Sequence, residues 1–177
     1  MHGTGSVTAW ELHPHRTELL RATLARLGCL NCIAETRDAS SASPEEGEEL
    51  YDAVLCDAPC SGLGGGGKPD AMLNRTEASV AELAALQRRI LDSAARFVKE
   101  GGALVYSTCT VSRRENRENA LHFLATHPGF EAEDLTKLFG LEGAHGADAP
   151  FLQLLPNTDG TDGFFIARFV KKEPKGE

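Results

Sequence analysis

The sequence predicts an α/β fold, a mostly parallel, doubly wound sheet with an antiparallel C-terminal hairpin. Three observations carry this. Short apolar runs alternate with segments of helical period. Several of those runs end in an acid or a cysteine. The last two runs are joined by the turn sequence "TDGTDG" and follow each other without a helical pattern between them. At 177 residues and 19.0 kDa, with 41% hydrophobic and 25% charged residues, the chain is long enough for one domain with a core.

The first run, "SVTAWEL" (6–12), reads as a buried strand ending at Glu11. A helix starts near Pro14, a residue suited to a first helical turn. Leu19, Leu20, Leu24 and Leu27 fall on one side, and Gly28 is the stop. "CLNCIAE" (29–35) is a weaker strand, and 36–50 is a polar, turn-rich connection. "DAVLCD" (52–57) is the third strand, followed by the loop "SGLGGGGKPD". A long helix over about 77–98 buries Val80, Leu83, Leu86, Ile90, Ala94 and Phe97 at three- and four-residue steps. "GGALVYST" is the fourth strand, and Ser112 and Glu115 stand at capping-box spacing before the next helix. After Pro128, "GFEAED" starts a further strand, and "FLQLLPN" and "FFIARFV" form the terminal hairpin.

The net charge is −8, from 18 Lys and Arg against 26 Asp and Glu, with a pI near 5.3. Bulk electrostatics therefore does not drive nucleic-acid binding, which needs concentrated positive charge. One local patch stands out: Arg113, Arg114 and Arg117, readable either as a contact surface or as a solvated helix face. No run is as long as a membrane span, and no signal-peptide layout opens the chain. Five cysteines without an export signal point to reduced thiols and a cytoplasmic location. Cys29-Leu30-Asn31-Cys32 has redox or zinc spacing, but no second pair or nearby histidine completes a metal set, so no metal is expected.

In parallel sheets ligands bind at the carboxyl ends of the strands. Glu11, Asp57 and Cys109 fall at such ends, and Asp38 falls shortly after one. Glu11 could accept bonds from ribose hydroxyls or be an ordinary strand-end charge. Asp38 could serve an adenine amino group or hold a turn. Pro59 stiffens the loop that presents Cys60. Cys60 and Cys109 could each be a small buried hydrophobe. Two cysteines at comparable strand ends favour a shared site.

"DAPCSGLG", "YSTCT" and "GTDGFFIARF", in that order, resemble the Sun/Fmu-type RNA (cytosine-C5) methyltransferases, and the resemblance runs from Val7 to Phe169. It implies a Rossmann-like S-adenosylmethionine-dependent methyltransferase fold and RNA as substrate, ribosomal 16S RNA in the bacterial branch. It also implies one partial catalytic domain over 1–170 with a charged tail over 171–177. By the same resemblance Cys109 is the nucleophile, Cys60 assists product release and Asp57 contacts base and cofactor. Glu11 and Asp38 match the acids on the ribose and adenine sides of S-adenosylmethionine. Relatives carry a strand and an "APGGKT"-type loop before the segment that starts here. The expectation is thus a fold truncated at the N-terminus, with the 6–11 and 52–57 strands separated or newly paired. Alternatives are a remnant that keeps the fold without cofactor affinity, a DNA cytosine methyltransferase using the Pro-Cys cysteine, and a thiol redox protein using Cys29 and Cys32. "YSTCT" and "GTDGFF" argue against the DNA enzyme.

Overall fold

A computed structural model describes residues 4–65, 74–141, 145 and 148–174. The chain packs as two compact units, Met1–Ala42 and Ser43–Glu177, where the sequence reads one domain over 1–170.

In the first unit β1 (Val7–Glu11) and β2 (Cys32–Thr36) pair in parallel, and α1 (Pro14–Arg26) connects them. Pro14 opens α1 and Gly28, at φ +67°, follows its end. The Arg21 guanidinium donates twice to the Ala34 carbonyl and ties the helix to β2. Burial is thin. β1 is half-buried rather than buried, since only β2 and α1 accompany it in this unit. Leu20 and Leu24 are half-buried, while Leu19 (66% exposed) and Leu27 are open. The expected four-leucine face is therefore only partly used.

The second unit holds a mixed sheet of order β3-β4-β7-β5, with β6 also on β7. Its strands are β3 (Tyr51–Asp57), β4 (Val98–Thr108), β5 (Phe130–Ala132), β6 (Leu152–Leu154) and β7 (Phe164–Lys171). Its helices are α2 (Glu77–Ala94), α3 (Arg117–Thr126), α4 (Leu135–Leu138) and α5 (Pro156–Asp159). β3 and β4 are parallel, and every pairing on β7 is antiparallel. The antiparallel part is thus wider than the β6–β7 pair alone, because β4 and β5 also join β7. β6 and β7 are not joined by a turn alone as the sequence suggests, since Pro156 opens the short helix α5 between them. Among the described residues β1 pairs only with β2, and β3 only with β4.

The core of this unit stacks Phe97, Tyr106, Phe123, Phe151, Phe165 and Phe169 around Leu91 and Leu104. α2 starts with a Thr76–Ser79 capping box that satisfies two orphan backbone donors. It ends earlier than the periodicity suggests: a 3-10 turn at Ala95–Phe97 leads straight into β4 at Val98. Its buried face is centred on Ala84, Gln87, Leu91 and Ala94, leaving Val80, Leu83, Leu86 and Ile90 half-buried. The expected Ser112–Glu115 cap is also revised. Ser112 Oγ accepts weakly from the Glu115 N–H (3.5 Å), but α3 begins after Asn116 with no side-chain cap, and Glu115 turns inward. Lys171 of the expected tail belongs to β7, and 175–177 lie outside the described residues.

Candidate active site

Parallel register brings the ends of β3 and β4 side by side, with Asp57 opposite Ser107. Ser107 Oγ donates to Asp57 Oδ1 at 2.9 Å, and the Ala58 N–H bonds the Ser107 carbonyl at 3.0 Å. Asp57 itself stays exposed. One loop leaves each strand end, carrying Cys60 and Cys109, and the two sulfurs stand 3.2 Å apart. Both are free thiols; Cys109 is exposed and Cys60 half-buried. Burial pushes the Cys60 thiol up to about 11, with the Cys109 sulfur adding to the shift. The sequence placed these three residues at one site, and the structure brings the two sulfurs into contact.

A buried carboxylate ties the two loops together. Glu115, with no exposed surface, accepts from the Ser61 N–H (2.8 Å) and Ser61 Oγ (2.5 Å), the residue after Cys60. It also accepts from Gln87 Nε2 (3.0 Å) and, more loosely, Thr110 Oγ1 (3.5 Å), the residue after Cys109. Ser61 Oγ and Thr110 Oγ1 are themselves 2.8 Å apart. Gln87 Nε2 also reaches the Pro59 carbonyl, and the Tyr106 hydroxyl donates to Gln87 Oε1 and the Glu115 carbonyl. Among the described residues every buried side-chain N or O has a partner, as a low-dielectric polar network requires. Sequence reasoning missed Glu115, Gln87 and Ser61. The available signal was Gln87 at the centre of an otherwise apolar helix face.

Glycines close the third side. The Gly64 N–H bonds the Cys109 carbonyl at 3.1 Å, and the Gly163 N–H bonds the Gly64 carbonyl at 2.8 Å. A Cβ on Gly64 would collide with the Gly163 carbonyl, and one on Gly163 would stand 2.9 Å from the Gly64 Cα. Close backbone approach thus explains a glycine in each of "SGLGG" and "TDGFF". The rest of the glycine-rich loop, 66–73, lies outside the described residues.

The arginine patch is only partly free. Arg117 donates to the Asp148 carbonyl and lies over the Phe151 ring, and Arg114 faces Glu77 at 3.6 Å. Arg113 is exposed, and Arg75 donates from Nε to the Ser61 carbonyl beside the cysteines.

Glu11 and Asp38 lie in the first unit. Glu11 ends β1 opposite Thr36, and Asp38 follows two residues later, at the same carboxyl edge of the parallel pair. Glu11 Oε1 accepts from the His13 N–H (3.1 Å), and its Oε2 is 3.4 Å from Arg16 Nε. Asp38 Oδ1 accepts from the Ser40 N–H (2.8 Å), which makes a local turn. Among the described residues no group of three or more His, Cys, Asp or Glu is arranged to hold a metal ion, and no helix is long and apolar enough to cross a membrane.

The chain matches the 16S rRNA methyltransferase RsmB/F family over residues 1–170. It belongs to that family. It is 42% identical over 174 residues to the probable ribosomal RNA small subunit methyltransferase B of Bacillus subtilis (strain 168), covering 97% of this chain and 39% of that protein. It is 38% identical over 174 residues to ribosomal RNA small subunit methyltransferase F of Shewanella loihica, covering 97% of this chain and 35% of that protein. Among solved structures, NSun6 from Pyrococcus horikoshii with SFG superposes with a TM-score of 0.78 at 26% identity, covering 97% of this chain and 43% of that one. The RsmB/F chain described here thus spans well under half the length of these relatives. Its fold is that of the Rossmann-like methyltransferases.

Proposed function

We propose that this RsmB/F chain carries the chemistry for S-adenosylmethionine-dependent methylation of cytosine C5 in RNA, with 16S rRNA as the substrate. The observation that carries this reading is the contact of two free thiols at the ends of neighbouring parallel strands, 3.2 Å apart.

Cytosine C5 is a poor nucleophile and needs activation. In this reading the exposed Cys109 thiolate adds to C6, forming an S–C6 bond and pushing an electron pair onto C5. S-adenosylmethionine supplies the electrophilic methyl group. Loss of the C5 proton then returns the electron pair to the ring and breaks the S–C6 bond. Cys60 remains a thiol at neutral pH because its ordinary value is raised to about 11. Its S–H is placed to donate to the departing Cys109 sulfur, which suits a role in release. Asp57 is an exposed acceptor held at the strand end by Ser107, suited to the amino group of the base. Glu11 and Asp38 are acceptors at one carboxyl edge and fit a ligand rich in hydroxyl and amino donors, as ribose and adenine are.

The test separates addition from elimination. With unmodified 16S rRNA and S-adenosylmethionine, Cys60→Ala should accumulate a protein–RNA adduct that survives denaturing electrophoresis, and Cys109→Ala should form none. An adduct in Cys109→Ala with none in Cys60→Ala would reverse the assignment. Neither adduct nor transfer from any variant or the parent chain would overturn the reading for this chain.

A further inference from the structure

The loops bearing Cys60 and Cys109 are pinned on both flanks. The Gly64 N–H holds the Cys109 carbonyl, and Ser61 and Thr110 share a hydrogen bond under Glu115. The sulfurs they carry are 3.2 Å apart, and a disulfide closes at about 2.05 Å. An approach of about 1 Å is within reach of side-chain torsions, without moving either strand end. We infer that Cys60 and Cys109 form a reversible disulfide switch, closed by a peroxide and reopened by a dithiol.

Exposure decides the order of events. Cys109 is the exposed member and meets the oxidant first. Its thiolate attacks a peroxide oxygen: an S–O bond forms, the O–O bond breaks and hydroxide leaves. The Cys60 sulfur then attacks the sulfenic sulfur. The S–S bond forms, the S–O bond breaks, and the departing hydroxide takes the Cys60 proton as water. In sum, two thiols give up two electrons and two protons, and hydrogen peroxide becomes two waters. Half-buried Cys60 is sheltered from the bulk oxidant but not from its neighbour, the position of a resolving cysteine. Of the remaining thiols, Cys56 is buried, and Cys29 and Cys32 lie in the first unit. The consequence for methyl transfer rests on the function proposed above: with Cys109 in a disulfide, no thiolate can add to C6. The closure also protects Cys109 from irreversible oxidation to sulfinic acid.

The experiment needs neither RNA nor cofactor, so it succeeds or fails independently of the proposed reaction. The folded chain is exposed to hydrogen peroxide, its remaining thiols are alkylated, and peptides are mapped by mass spectrometry. The expected product has lost two hydrogens, links the Cys60 and Cys109 peptides, and returns to two free thiols with dithiothreitol. Cys60→Ser should instead carry Cys109 onward to sulfinic acid. A peroxide-treated parent chain with Cys109 oxidised to sulfinic acid while Cys60 remains free would overturn the proposal. So would a dominant Cys29–Cys32 linkage with Cys60 and Cys109 both unmodified.

Discussion

The two units solve the same local problem, a parallel strand pair with acids at its carboxyl edge, with very different amounts of core. In Ser43–Glu177 six aromatic side chains are almost completely buried on and around the β4–β7 pairing. Among the described residues of Met1–Ala42 the buried ones are Thr17, Ala34 and Ala42, and Val7, Leu12, Leu19, Leu27, Leu30 and Ile33 stay exposed. The residues proposed for bond making lie in the unit with the large core. Glu11 and Asp38, proposed for the ribose and adenine of the cofactor, lie in the unit with almost none. Stability and the thiol geometry therefore reside together, while β1 and β2 are held by their own ladder, the Arg21 clasp, the Thr36–Thr17 bond to α1 and the Trp10 contacts with Glu35 and Arg37.

The sharpest way to break this contrast is a matched pair of truncations. Phe169→Ala in β7 should cost about 3–5 kcal/mol, because it opens a cavity against Phe123 and Phe151. Leu19→Ala in α1 should change stability by less than about 0.5 kcal/mol, as expected for an exposed site. Urea titrations of both variants measure the difference. Equal losses would show that the first unit is as well packed as the second.

Next comes Glu115. Glu115→Ala strands the Ser61 N–H in a buried site and leaves Ser61 Oγ and Gln87 Nε2 with only Thr110 Oγ1 and the Pro59 carbonyl, and should cost about 1–3 kcal/mol. Glu115→Gln keeps an acceptor and should cost less. Destabilisation should also loosen the sulfur contact, so a bifunctional thiol reagent should bridge Cys60 and Cys109 more slowly in Glu115→Ala than in Glu115→Gln. Equal bridging rates would mean that the strand ends alone set the thiol spacing.

These effects divide along the line between what the sequence showed and what it hid. The longer strands and helices, the antiparallel β6–β7 pairing and the placement of Asp57, Cys60 and Cys109 at strand ends were legible, because alternating periods and end residues are local signals. The short helices α4 and α5 were not, α5 standing between β6 and β7 where only a turn was read. The polar clamp was not. Glu115 reads as a helix cap by spacing, and only the fold brings Ser61, from 54 residues away, to its carboxylate. The arginines looked like one patch, yet Arg117 is spent on the Asp148 carbonyl and Phe151, partners that no local pattern reveals. The leucine face of α1 misled for the opposite reason: a helical period says which side is apolar, not whether anything covers it.

A smaller effect concerns the helix that carries Gln87 beneath the cysteines. Thr76→Ala removes the acceptor for the Ser79 N–H and one half of the capping box at the start of α2. A loss of about 1 kcal/mol is expected in denaturant unfolding. Amide exchange sharpens the comparison from another side: protection should be higher along β4 and β7 than along β1 and β2, by the difference in cover. Matching protection in the two units would contradict it.

The smallest expected effect is on the alkaline side of the stability profile. In the folded chain the Cys60 thiol is raised from 9.0 to about 11, first by burial and then by its bond with Cys109. Cys56 is raised to about 12 by burial alone. A thiol with a raised pKa keeps its proton in the folded state at a pH where the unfolded chain has lost it. Unfolding then releases protons, and stability falls as pH rises from about 9 through about 11 for Cys60 and on to about 12 for Cys56. Below pH 9 both states hold the proton and neither thiol contributes a slope. Cys60→Ala should therefore leave the neutral-pH slope unchanged and make the decline between pH 9 and 11 shallower. Cys56→Ala should do the same across the whole window from about 9 to about 12. Half-exposed Cys60 is partly screened by solvent, so its share of the decline should be the lesser of the two. Denaturant midpoints measured across that range in the parent chain and both variants decide the matter. An unchanged alkaline limb in Cys56→Ala would place the proton release elsewhere, at groups such as the Tyr106 hydroxyl, which burial also pushes upward.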